Sequence, residues 1–251
     1  MSDIITNQEQ AVPKIIELLT NAVDKVEGRF GIAFSGGVDS SLLALIASKL
    51  GKDFILYNSG LENSQDVRKA RELAEIMNWK LKVNELNVEE AEKVIINVHR
   101  IIPEKDFVAV GIVCPLYSAL ESAKKDNIKT VLTGYAADSL FAGFDRFKDL
   151  SEEEVLKEID KSVSHLEEYA KTREGPIGNH FGIKLVFPFR DKEFFDYAMK
   201  IAPSLKINNE MNKIVLREAA VKLGLPKEFA YRPKKAAQYG SKFDKTIQKL
   251  A

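Results

Sequence analysis

The stretch Ser35-Gly36-Gly37-Val38-Asp39-Ser40-Ser41 brings together the groups needed to hold a phosphorylated ligand. Gly36 and Gly37 can take φ > 0 and carry no Cβ, so the backbone can curl and turn its N–H groups inward. The helix expected to follow adds free N–H donors and the positive end of its dipole. The hydroxyls of Ser35, Ser40 and Ser41 supply further donors, and the loop suits a phosphate group. Asp39 is the exception. A carboxylate repels phosphate unless a cation sits between them, so Asp39 predicts a magnesium ion. The loop lacks the G-x-x-x-x-G-K-[ST] pattern and contains no lysine, which excludes the Walker A class.

The flanking chain supplies a scaffold for such a loop. Gly31–Phe34 reads as a short buried strand and Ser40–Leu50 as a helix, while Ile15, Leu18, Leu19, Ala22, Val23 and Val26 share the face of a preceding helix. Asp53–Leu61 reads as a second strand, the charged stretch after it as a helix, and KLKVNELN as a third strand. Val88–Asn97 forms another helix, and IKTVLTG, ending at Gly134, a further buried strand. This alternation predicts an α/β fold with a doubly wound parallel sheet, whose ligands sit at the carboxyl ends of the strands. From Leu150 the texture becomes strongly charged and helical. The expected organisation is therefore a nucleotide-binding α/β domain over residues 1–149 and a mainly helical region over 150–251.

Composition narrows the class further. Lys+Arg and Asp+Glu are equal at 37 each, which gives no global electrostatic case for nucleic acid. The single cysteine, Cys114, excludes disulfide frameworks and cysteine zinc sites within the chain and reads as a packed core residue. The three histidines show no ligand spacing. The start, MSDIITNQEQ, has no basic or apolar signal region, and no apolar run approaches the length of a membrane span, so the expectation is a cytoplasmic protein without membrane contact.

The SGGVDSS loop resembles the PP-loop of the ATP pyrophosphatases, which cleave ATP between its α- and β-phosphates. Further segments resemble the asparagine synthetase family in family order. Gly60–Asp66 is similar to the family's Gly-Leu-x-Gly-Ser-x-Asp run. Thr133, Gly134, Asp138, Leu140, Phe141, Gly143 and Phe144 fit its Ser-Gly-x-Gly-x-Asp-Glu-Leu-Phe-Gly-Gly-Tyr frame. Pro188, Phe189 and Asp191 fit Pro-Phe-Leu-Asp, with Arg190 in place of the leucine. Lys213, Leu216, Arg217 and Ala219 fit Lys-x-x-Leu-Arg-x-Ala, and Tyr231–Lys242 contains the family's Arg-x-Lys. Two family glutamates are replaced, by Tyr135 and Ser139; the first is the one that handles the ammonia proton.

The resemblance implies a nucleotide site formed by Phe34, Ser35, Gly36, Gly37, Asp39, Ser40 and Ser41 with Ser59, Gly60 and Gly134. It implies Asp39 and Asp138 as magnesium ligands and Lys234 on the triphosphate and transition state, with Asp66, Tyr135, Arg190 and Lys213 near the substrates. The implied activity is an ATP- and magnesium-dependent ligase: a small carboxylate, foremost aspartate, becomes an acyl-adenylate, and ammonia or an amine displaces AMP. Glutamine-using asparagine synthetases begin with a catalytic cysteine and a glutaminase domain, whereas Ser2 follows Met1 here. Ammonia is therefore expected from solution or from a separate glutaminase subunit, and a homo-oligomer is compatible. The alternatives are a tRNA-modifying PP-loop enzyme of the thiolation or lysidine type and a non-catalytic nucleotide-binding subunit.

Overall fold

The computed structural model describes residues 4–104, 106–233 and 236–250. Five strands, β1 (Phe30–Ala33), β2 (Phe54–Leu61), β3 (Leu81–Leu86), β4 (Thr130–Leu132) and β5 (Lys184–Val186), form one parallel sheet in the order β3-β2-β1-β4-β5. The chain steps outward from β1 through β2 to β3, returns to the other side of β1 as β4, and continues to β5. The reversal falls between β1 and β4, and a crevice opens there at the carboxyl ends of these neighbours.

Two-residue alternation along the strands sorts their side chains onto two faces. Phe30, Ile32, Leu56 and Leu132 face helices α1 (Gln8–Asp24), α2 (Val38–Lys49) and α3 (Gln65–Ile76). Ile55, Tyr57 and Val131 face α4 (Val88–Ile101) and α5 (Phe107–Lys125). Helix α2 is buried from Val38 to Ala47, which explains why its sequence is apolar on all sides. Helix α5 corrects one expectation: by length and composition it could cross a membrane. Yet 56% of its apolar window is buried inside the fold, and Cys114 at its middle is fully buried, its thiol pushed up by desolvation. It packs as a core helix.

Between β4 and β5 run α6 (Ala137–Leu140), α7 (Glu152–Ser164) and one continuous helical stretch made of α8 (Leu166–Tyr169), a π-helical turn (Ala170–Glu174) and α9 (Gly175–Phe181). After β5 come α10 (Lys192–Met199), α11 (Ile214–Leu223), α12 (Lys227–Ala230), α13 (Ala237–Gly240) and α14 (Phe243–Leu250). Sheet and core both cross the boundary expected at 149/150. Strand β5 pairs with β4, and Leu216 and Ala219 of α11 share one apolar cluster with Leu42 and Leu43 of α2.

A change in α11 should therefore be felt across the sheet. Leu216 is fully buried, so Leu216→Ala should cost about 2–5 kcal/mol through lost transfer energy and a residual cavity. Trp79, the sole tryptophan, lies edge-on to Phe34 at 6.1 Å in the first half of the chain. Its fluorescence transition in urea should move to lower denaturant together with the far-UV circular dichroism. A Trp79 transition that stays at the wild-type midpoint would contradict a shared core.

Candidate active site

The glycine-rich loop leaves β1 and enters α2 at the crevice. Only Gly36 takes positive φ, at +68°, while Gly37 is extended at φ −82° and forms the N-cap of α2. A Cβ on Gly36 would lie 3.1 Å from the Ala70 backbone nitrogen in α3, so this position needs glycine for conformation and for close approach. The loop is braced from within. The Ser40 hydroxyl donates to the Gly37 carbonyl at 3.2 Å and accepts from the Ser35 N–H at 3.3 Å. Ser41 is fully buried, and its hydroxyl has no hydrogen-bond partner among the described residues.

Across the crevice, Gly134 follows β4 so closely that a Cβ there would lie 3.0 Å from Cβ of Asp39. This proximity brings Asp39, at the start of α2, near Asp138 on α6. Between them lies Lys213. Its ammonium bonds Asp39 Oδ2 at 2.7 Å and Asp138 Oδ1 at 2.6 Å. Burial alone would lower the lysine's pKa, but the two carboxylates override it and hold the group above its ordinary value. The backbone is strained to make this contact: Lys213, at φ +57°, and Ala136, at φ +77°, are both left-handed without being glycine. Gly143 leaves room for the pair, since a Cβ would meet Asp138 Oδ1 at 2.1 Å and Lys213 Cε at 2.4 Å. The other oxygen of Asp39, Oδ1, is buried without a hydrogen-bond partner among the described residues. Two carboxylates, one with an unmatched oxygen, beside the glycine-rich loop form a hard oxygen donor set of the kind that fits magnesium.

The C-terminal region closes one side. Arg217, buried on α11, donates to the carbonyls of Ala230 at 2.6 Å and Arg232 at 3.2 Å, and to Asn212, which in turn donates to the Gly143 carbonyl at 2.9 Å. The Arg232 guanidinium thereby reaches the loop and donates to the Gly36 carbonyl at 3.1 Å. Its Nε and Nη1 are buried without an acceptor among the described residues. Ser241 accepts from the Leu61 N–H at 2.9 Å, and Gly240 sits so close to Asp66 that a Cβ would meet its carboxylate at 2.4 Å. Lys234 lies outside the described residues.

A cavity of about 220 Å³ runs along this crevice, lined by Phe34, Ser35, Asp39, Ser40, Ser59, Asp66, Gly134, Tyr135 and Asp138 among others. Most of the sequence-identified residues thus meet at one place, with Gly60 close against Ser241. Arg190 stands apart from them. It pairs with Glu167, lies over the Phe187 ring and lines a different groove with Lys25 and Asp191. Two lining residues escaped the sequence: Asn58, which donates to the Phe34 carbonyl at 2.7 Å, and Glu174. Arg232 is the arginine of the Arg-x-Lys segment, and its bond to the Gly36 carbonyl is a role the motif itself does not assign. Asn58 and Glu174 carry no local pattern.

These features invite comparison with known proteins. A profile described as asparagine synthase matches residues 14–181 and, in an overlapping second segment, 166–251. The chain belongs to the asparagine synthase family. A Methanocaldococcus jannaschii protein described as a glutamine-hydrolysing asparagine synthetase is 36% identical over 97% of this chain and 52% of its own length. The glutamine-hydrolysing asparagine synthetase of Asparagus officinalis is 30% identical over 82% of this chain and 38% of that protein. The chain therefore spans about half, or less, of the length of these relatives. Among solved structures, NMN synthetase from Francisella tularensis is similar at a TM-score of 0.50 and 16% identity, over 98% of this chain and 87% of that one, a likeness of fold.

The buried ion pair has a measurable consequence. Lys213→Met leaves Asp39 and Asp138 facing each other without their cation, and should destabilise the protein by about 3 kcal/mol at neutral pH. Urea denaturation of both proteins at pH 7 checks this; equal midpoints would contradict the buried pairing.

Proposed function

We propose that this chain catalyses ATP-dependent amidation of a small carboxylate, with aspartate as the first candidate acid and ammonia or an amine as the nitrogen donor. The observation that carries this proposal is the convergence of Asp39 and Asp138 on one cation beside the glycine-rich loop. In the reaction, a carboxylate oxygen of the acid attacks the α-phosphorus of ATP, and the bond to the β-phosphate breaks. The N–H groups of Gly36 and the start of α2 would face the departing pyrophosphate, where fixed dipoles need no reorganisation as charge develops. The buried N–H groups of Arg232 are available to the same phosphates. Asp39 and Asp138 would hold magnesium, which supplies charge neutralisation on the phosphate oxygens when bound. Lys213 keeps positive charge between the carboxylates, and Lys234, by family resemblance, adds a cation at the triphosphate. Ser59 and Gly60 line the adenine side, and Asp66 borders the acid.

The nitrogen then attacks the acyl carbon and AMP leaves. Free ammonium, the simplest nitrogen nucleophile for an acyl-adenylate, is the donor to test first, with a separate glutaminase subunit as the other supply.

Pyrophosphate release with aspartate, ATP, magnesium and ammonium tests the assignment. Asp39→Asn and Asp138→Asn should fold and lose at least about 100-fold in turnover, as expected when a group acting on developing charge is removed. Lys234→Ala should lose about 100-fold, equivalent to roughly 2.7 kcal/mol, with a much smaller effect on ATP affinity. Wild-type turnover in both asparagine variants would overturn the proposal.

A further inference from the structure

One acidic side chain in the cavity has no place in the chemistry described so far. Glu174 is buried, 7% exposed, and lines the same cavity as Asp39, Ser59, Tyr135 and Asp138. Its Oε2 has no hydrogen-bond partner among the described residues. A buried carboxyl left in this way is costly unless a ligand completes it.

The local backbone is built to present it. Glu174 ends the π-helical turn Ala170–Glu174, where the Gly175 N–H reaches back five residues to the Ala170 carbonyl. Pro176 follows and has no N–H with which to continue an α-helical ladder through this point. A Cβ on Gly175 would lie 2.6 Å from the Ala170 oxygen, so the Glu-Gly-Pro sequence accommodates the wide turn. Such single turns recur at functional sites. Tyr135 anchors the stretch: its hydroxyl donates to the Leu166 carbonyl at 2.7 Å, at the start of α8. Burial holds the Tyr135 phenol well above its ordinary range, so it is a clamp rather than a base.

Resting on the ligase function proposed above, we infer that Glu174 takes the proton from the incoming nitrogen, in place of the glutamate absent at position 135. The second substrate then enters as a protonated ammonium nitrogen, whose charge the buried carboxylate recognises. Glu174 accepts one proton and frees the lone pair, which forms the C–N bond at the acyl carbon. The C–O bond to AMP breaks, AMP carries away the electron pair, and the nitrogen's second surplus proton passes to solvent. The balance is acyl-adenylate plus ammonium giving amide, AMP and two protons.

The electrostatics suit the role. Burial pushes the Glu174 carboxyl up to about 7; its own N–H, Arg173 and Arg190 pull it back, and Glu104 adds to the rise. Arg173 is itself paired to Glu104 at 2.6 Å and stacked on Tyr169, which leaves Glu174 Oε2 without a hydrogen-bond partner among the described residues. A base poised near the working pH is efficient.

The test separates the two half-reactions. Incorporation of labelled pyrophosphate into ATP with L-aspartate reports adenylation, and amide formation with ammonium chloride reports the second step. Glu174→Gln is isosteric and removes a buried charge, so it should stay folded by thermal melting. It should cut amide formation by at least about 100-fold while exchange falls much less. Between pH 6 and 8.5 at constant ammonium, wild-type amide formation should level off above about pH 7. The residual rate of Glu174→Gln should instead track free ammonia, rising about tenfold per pH unit. Glu174→Asp should recover part of the plateau. Equal loss of both half-reactions, or unchanged amide formation, overturns the assignment of Glu174 alone. Absence of exchange in the wild-type protein overturns the ligase function and this inference with it.

Discussion

An ammonium group buried between two carboxylates ties three distant segments to the carboxyl edge of the sheet. Asp39 comes from the β1–α2 junction, Asp138 from the turn after β4 and Lys213 from the start of α11. Taking Lys213 and Asp39 out of water is expensive, and their pairing with each other and with the partly exposed Asp138 is what makes the arrangement tolerable. The surrounding chain shows the constraint: left-handed backbone at Ala136 and Lys213, and glycines at 134 and 143 where any Cβ would intrude. Strain of this sort persists where the surrounding structure over-determines it. The ion pair therefore fixes the spacing of the crevice before any ligand arrives.

The C-terminal region is part of the site rather than an appendage. Arg217 holds the carbonyls of Ala230 and Arg232, Asn212 reaches Gly143, and Arg232 reaches the glycine-rich loop. Each bond satisfies a backbone carbonyl that would otherwise be stranded in a partly buried loop. The same bonds leave two guanidinium N–H groups of Arg232 facing no protein acceptor among the described residues. Gly240 and Ser241 then settle over Asp66 and the end of β2. Folding and site assembly are one process here, since sheet, core and crevice all draw on both halves of the chain.

Much of this was legible in the sequence, for physical reasons that differ by element. The strand–helix alternation reads cleanly because β1, β2 and β4 are short apolar runs bounded by glycine or polar residues, while the crevice between β1 and β4 follows from the strand order. Strand β5 has three residues with an exposed first member, too short for a period to register, so the second half reads as helical and separate. The doubled glycine suggests two positive-φ residues, but only Gly36 needs one; Gly37 serves as an N-cap. Asp39 and Asp138 are recognisable from their loops, whereas their pairing with Lys213 depends on α11 crossing the sheet, which no local pattern encodes. The resemblance places Arg190 near the substrates, yet the neighbouring Glu167 on α8 captures it. Glu174 is invisible in sequence because its meaning lies in a π-helical turn and in a lost partner, both properties of the assembled cavity.

The central claim is that the crevice directs a carboxylate oxygen onto the α-phosphorus of ATP. The most direct measurement uses aspartate labelled with ¹⁸O in its side-chain carboxylate, with ATP, magnesium and ammonium, followed by mass spectrometry of the nucleotide product. The account predicts AMP carrying one ¹⁸O on its phosphate, in amount equal to the amide formed. Unlabelled AMP alongside amide, or label in inorganic phosphate with ADP as the nucleotide product, would contradict it.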